Sequence, residues 1–149
     1  MNVGDLARDF TLKDQYGKDF KLSDCRDKRV LLSFHPLAFT DFCTKQMLSL
    51  DANFEALTGL STVSVGISVD PVPSKKAWSD SMGLKNLGIL SDFWPHGQVS
   101  QIYDIFRDKY GTSERANIII DKNGKIIFIK VYEVLSVPDI EEVITFLKI

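Results

Sequence analysis

The chain has 149 residues, 44% of them hydrophobic and 26% charged, and carries a net charge of −2. That is the size of one domain, residues 1–149, with enough apolar material to build a core and too much for a disordered chain. The charge gives no electrostatic reason to expect nucleic acid or an anionic membrane as partner, and no apolar run approaches the ~20 residues of a membrane span.

The first ten residues, MNVGDLARDF, show no apolar signal-peptide region, so a cytoplasmic protein with reduced thiols is expected. Residues 9–22 (DFTLKDQYGKDFKL) predict an N-terminal β-hairpin around a Tyr16-Gly17 turn. RVLLSF, 29–34, has the length of a buried strand. Residues 41–58 predict a helix whose inner face is Met47, Leu50, Phe54 and Leu57, with Gly59 as its C-terminal cap. A strand over 62–68 (TVSVGIS) follows, then a short helix over 74–82 opened by Ser74, and a brief strand at 88–90. Val99, Ile102, Tyr103 and Phe106 mark another helical face. Strands at 117–120 and 126–132 form a hairpin around DKNG, and a last helix runs over 137–147 after Ser136. Strands alternating with helices and closed by a hairpin predict an α/β fold, a mixed sheet flanked by helices on both faces. A thioredoxin-like layout is its simplest match.

There are only two cysteines, Cys25 and Cys43, too few for a disulfide framework and too far apart for CxxC. Extending the stripe of the 41–58 helix backwards from Met47 reaches Cys43, in the first turn. With Thr40 as N-cap, Cys43 is the third helical residue, which brings hydroxyl and sulfur together. Free N–H groups and the positive end of the helix dipole favour a thiolate there. The loop 35–42 leaves the C-terminal edge of a buried strand, where open α/β sheets hold their sites, and Pro36 stiffens it. A buried cysteine serving as a small hydrophobe fits the same stripe.

The spacing Pro36-x3-Thr40-x2-Cys43 resembles the PxxxTxxC loop of the peroxiredoxins. FHPLAFTDFCT (34–44), SVD (68–70), KAWSD (76–80), SDFWPHG (91–97) and RANIIIDKNGKI (115–126) are similar to family segments in family order. SDFWPHG and the lack of a nearby second cysteine are most similar to the one-cysteine, alkyl hydroperoxide reductase E-like branch. The resemblance implies a thioredoxin-like fold and a thiol peroxidase with Cys43 as the attacking sulfur and Thr40 as its hydrogen-bonding threonine. It further implies Pro36 as a shield and Arg115 as the arginine that closes the site. Hydrogen peroxide or an alkyl hydroperoxide is the implied substrate, a thioredoxin-like or low-molecular-weight thiol the reductant, and a homodimer the assembly. No metal, flavin or haem is required.

Other residues leave alternatives. Asp41 stands where the family usually has proline or glycine, and opposes a thiolate only if it points at Cys43. His35 reads as a core histidine or a proton relay. Trp78 and Trp94 are core aromatics or site walls, and His96 reads as a loop residue. Leu48 occupies the position of the resolving cysteine of two-cysteine relatives. Cys25 lies before the strand whose far end leads to Cys43, about 20 Å away for six residues, so it is expected to be a bystander. A resolving role for Cys25, or a non-turnover peroxide sensor on the same fold, are the rival readings. The charged segments SDCRDKR and FRDKYGTSER read as solvated loops.

Overall fold

In the computed structural model, which describes residues 1–149, the chain runs β1 (Thr11–Lys13), β2 (Asp19–Lys21), a 3₁₀ turn (Leu22–Cys25), β3 (Arg29–Phe34), α1 (Asp41–Ala52), α2 (Phe54–Gly59) and β4 (Thr62–Ser68). It continues through α3 (Val72–Met82), β5 (Gly88–Ser91), α4 (Gln98–Ile102), β6 (Phe106–Arg107), β7 (Thr112–Ser113), β8 (Arg115–Ile120), β9 (Ile126–Tyr132) and α5 (Ile140–Leu147). Seven strands form one mixed sheet in the order β2-β1-β5-β4-β3-β8-β9. β3, β4 and β5 are parallel, and β8 runs antiparallel to β3 with Phe34 opposite Ala116. No helix is long and apolar enough to cross a membrane.

The two-residue period of the strands divides the core between the sheet's faces. Val30, Leu32, Phe34, Ala116, Ile118 and Ile120 face one side, with Phe10, Val99 and Tyr103. Leu31 and Ile119 face the other, beneath Cys43, Met47 and Leu50 of α1, Trp78 of α3 and Val143 and Leu147 of α5. The helix α1 sits close to the sheet because β4 carries no side chain at Gly66. A Cβ there would stand 2.3 Å from Met47 Sδ.

The mixed sheet with helices on both faces matches the sequence expectation, but several boundaries move. Residues 41–58 are not one helix. The Asn53 side chain donates to Ser49 O at 2.8 Å and its N–H reaches Ser49 O and Leu50 O, ending α1 at Ala52. Gly59 lies inside α2 rather than capping it. α3 opens at Val72, before Ser74, because a proline fits a helix's first turn without losing a bond. α5 opens at Ile140, where Asp139 accepts from Glu141 N, while the Ser136 hydroxyl is used in a turn to Glu133 O. Phe106 leaves the expected helical face and forms β6, which pairs with β7. The DKNG turn is as expected: Asp121 Oδ1 accepts from Asn123 N and Lys125 N, and Gly124 supplies φ +85°.

Candidate active site

β3 ends at Phe34, and the loop 35–40 crosses the sheet's C-terminal edge before α1 begins. Pro36 is buried in it. Asp70, just after β4, accepts from Ala38 N at 2.8 Å and from Ser68 Oγ at 2.5 Å, tying the loop to the sheet. Phe39 then takes φ +65°, an uncommon conformation for a bulky residue, and turns the chain into Thr40. Thr40 is the N-cap, and its carbonyl accepts the first helical bond from Thr44 N at 2.9 Å. The Thr40 hydroxyl does not cap the helix as the sequence suggested. It donates to Leu37 O at 2.8 Å, closing a turn within the loop, and no side-chain oxygen caps the first N–H groups of α1.

Cys43 lies on the inward stripe of α1 and is 1% exposed. Its sulfur accepts from Arg115 Nη1 at 3.4 Å. Arg115 opens β8, on the same face of the sheet as Asn117 and Ile119, and is itself 2% exposed. Four bonds fix its fork: Nε and Nη2 to Val134 O at 3.0 and 2.7 Å, and Nη1 to Gln46 Oε1 at 2.6 Å as well as to the sulfur. None of these partners is a carboxylate, and Arg115 forms no ion pair. The one group in its hydrogen-bonding shell able to become an anion is Cys43. The Arg115 cation therefore faces the sulfur, because a buried charge costs less beside a group that can carry the opposite charge than beside none.

A cavity of about 320 Å³ opens over this pair. Pro36, Thr40, Cys43 and Arg115 all line it, so the structure brings together the four residues the sequence singled out. Its lining is mostly apolar, Phe42, Val134 and Leu135 included. The far wall comes from the segment read as a solvated loop. Residues 106–113 instead fold back as β6 and β7 and place Arg107, Tyr110 and Thr112 on the cavity. Arg107 stacks on Tyr110 with its guanidinium carbon 4.1 Å from the ring centre.

Gln46 escaped the sequence reading. One turn after Cys43 on the buried stripe, its spacing was the available signal. It aims Arg115 and begins a polar seam through the sheet. Gln46 Nε2 donates to Ser33 Oγ, Ser33 Oγ to Asn117 Oδ1, Asn117 Nδ2 to Tyr132 Oη and Tyr132 Oη to Glu142 Oε1, at 2.7, 2.7, 3.3 and 2.8 Å. Val134 O, which holds two Arg115 nitrogens, carries no side-chain signal and could not be read from residue types.

The remaining candidates separate. Asp41 is exposed, which resolves its direction toward water. His35 is fully buried behind the loop. Trp78 is 1% exposed and donates to Thr44 Oγ1 at 3.2 Å, so it braces the first turn of α1 from behind and does not line the cavity. Trp94 is 81% exposed, and His96 Nε2–H donates to Gly111 O at 2.7 Å as a loop residue. Cys25 packs against the core on the face opposite Cys43. Burial, and after it the neighbouring Asp24, push its thiol pKa up, making it a poorer nucleophile.

The AhpC/TSA family model matches residues 3–129. Alkyl hydroperoxide reductase E of Mycobacterium tuberculosis is 38% identical over 140 residues, covering 93% of this chain and 91% of that protein. Peroxiredoxin Bcp of Escherichia coli is 33% identical over 132 residues, covering 85% and 83%. Among solved structures, the reduced 2-Cys peroxiredoxin of Plasmodium vivax superposes with a TM-score of 0.91 at 25% identity, over 99% of this chain and 81% of its own. Peroxidoxin BcpB from Mycobacterium tuberculosis superposes with 0.88, also at 25%, over 99% and 97%.

Proposed function

The chain belongs to the AhpC/TSA family and is a thiol-dependent peroxidase; we propose that its attacking atom is Cys43 Sγ, that hydrogen peroxide and organic hydroperoxides are its substrates, and that an external thiol recycles it. The observation that carries this assignment is the 3.4 Å contact between Arg115 Nη1 and Cys43 Sγ, two residues that line an open cavity.

The thiolate attacks one peroxide oxygen, a sulfur–oxygen bond forms and the oxygen–oxygen bond breaks. The departing oxygen leaves with the electron pair of that bond and takes a proton to become water or an alcohol. Cys43 is left as a sulfenic acid. Donors accelerate this step only if they strengthen as charge builds on the departing oxygen. Arg115 supplies a fixed cation at the sulfur, and the uncapped N–H groups of α1 supply dipoles beside it. The Thr40 oxygen, its own proton committed to Leu37 O, is free to accept from the peroxide O–H. Pro36 has no N–H and presents an apolar face that sheds water. A first reductant thiol then displaces water from the sulfenic acid, giving a mixed disulfide, and a second releases the Cys43 thiol.

Within this reading the protein is cytoplasmic and acts as a homodimer, the latter supported by the exposed Phe39, Phe93 and Trp94. Cys43→Ser is expected to abolish peroxide consumption. Mass after one equivalent of peroxide is expected to rise by one oxygen. Retained turnover in the variant would move the chemistry to another residue. A non-turnover sensor would consume about one peroxide per chain even with excess thiol.

A further inference from the structure

Behind the cavity lies a second buried cationic group that the reaction described above does not use. Lys75, in the first turns of α3, is 0% exposed, and so is His35, just after β3. Lys75 Nζ lies 3.0 Å from His35 Nε2. His35 Nδ1 lies 3.4 Å from Ser33 O, a carbonyl that can only accept, so Nδ1 carries the ring proton and Nε2 accepts from the lysine. Trp78 closes the group: its ring is 5.3 Å from the His35 ring and 5.4 Å from Lys75 Nζ. Through Nε1 it also holds Thr44, one residue after Cys43. An ammonium carries three donors, and Lys75 has one hydrogen-bond partner. Such a group is expensive for the fold unless its charge is used.

We propose that Lys75 is a positioning residue for Cys43, a buried ammonium seated on His35 and Trp78 that favours the Cys43 thiolate electrostatically. The charged groups facing it are Asp70 after β4, Asp92 after β5, and Cys43 on α1, all of which favour its protonated form. Burial opposes them and pushes its pKa down to about 7. His35 stays neutral across this range, because burial, and then the Lys75 and Arg115 charges, hold its pKa well below the usual histidine value. The lysine is therefore the member of the pair that titrates. As pH rises it loses its proton, and Cys43 loses one of two cations. The coupling is reciprocal: oxidation of the thiolate to a neutral sulfenic acid removes an anion facing Lys75 and favours release of the lysine proton.

This inference rests on Cys43 being the attacking sulfur, but its test does not need turnover. The first measurement is the pH profile of Cys43 alkylation by neutral iodoacetamide, in Cys25→Ser and in Cys25→Ser with Lys75→Met. The expected result is a displaced acid limb, with alkylation at pH 6 about five- to tenfold slower in the lysine variant and the alkaline plateau unchanged. An unchanged profile in a folded Lys75→Met protein overturns the proposal. The second leaves the lysine intact. The ¹³Cε resonance of Lys75 is titrated in the reduced protein and in Cys43→Ser. A midpoint near neutral that falls when the sulfur is removed supports the coupling, and identical midpoints overturn it. If Cys43→Ser keeps peroxidase activity while Lys75 still responds to the sulfur, the function assignment fails and the coupling stands.

Discussion

One nitrogen of Arg115 serves two acceptors: Nη1 lies 3.4 Å from Cys43 Sγ and 2.6 Å from Gln46 Oε1, while Nε and Nη2 share Val134 O. The planar fork is what allows cation, aim and anchor to coexist in one side chain. A lysine retains the charge but cannot reach all three positions with a single nitrogen. Arg115→Lys is expected to lower kcat/KM for hydrogen peroxide by about 10²-fold, within the range for losing one oriented donor. Stopped-flow peroxide consumption measures this, and an activity within twofold of the parent would remove Arg115 from the reacting site.

Cys25 and Cys43 flank β3 at opposite ends and pack on opposite faces of the sheet. A disulfide needs Cα atoms within about 7 Å, so joining them requires the sheet to open. Cys25→Ser is expected to leave turnover with small thiols within about twofold of the parent, since the residue touches nothing in the cavity. Collapse of turnover in that variant would make Cys25 the resolving sulfur after all.

Lys75 makes a separate prediction for stability. Its pKa falls on folding, from 10.5 to about 7. Between those values the unfolded chain binds the extra proton, so stability rises with pH across that window. Below pH 7 the lysine destabilises the fold in full. Lys75→Met is therefore expected to gain stability at pH 6, on the order of 2–4 kcal/mol, with the difference shrinking toward pH 10. Urea melts at pH 6, 8 and 10 read this directly. A loss of stability at pH 6 would show that the ammonium is well compensated.

Asp51, near the end of α1, accepts from the N–H groups of Lys85, Asn86 and Leu87 ahead of β5. Burial opposes its charge, but those bonds outweigh it and hold the carboxyl below the usual range. The stabilisation is present above the unfolded pKa and is lost as pH falls through the folded one. Asp51→Asn is expected to cost about 1 kcal/mol at pH 7, because the site is partly exposed, and to flatten the acid limb of the stability curve. Thermal melts from pH 3 to 7 test it, and identical acid limbs would rule it out.

The sequence was most legible where side-chain type and period coincide. β3, β4 and the β8–β9 hairpin announce themselves by β-branched runs and the Asp121–Gly124 turn. Cys43, Thr40, Pro36 and Arg115 were legible through spacing and family likeness, and they meet on one cavity. What stayed hidden depends on backbone or on distant neighbours. Val134 O is a carbonyl, and β6 and β7 are two residues each, too short for a periodic signal. Asn53 broke a helix whose apolar stripe runs straight past it. Lys75 carries no marker in the sequence, and only the packing of α3 on β5 and the loop of His35 reveals it as interior.

The polar seam from Gln46 through Ser33, Asn117 and Tyr132 to Glu142 has only one workable polarity, because every amide and hydroxyl in it is already committed as donor or acceptor. Its outer end lies on α5, which touches solvent, and its inner end sets the angle of a guanidinium nearly thirty positions earlier in the chain. The C-terminal helix is thus mechanically answerable for the arginine that faces the Cys43 sulfur, and substitutions along it are constrained by more than the need to cover the sheet.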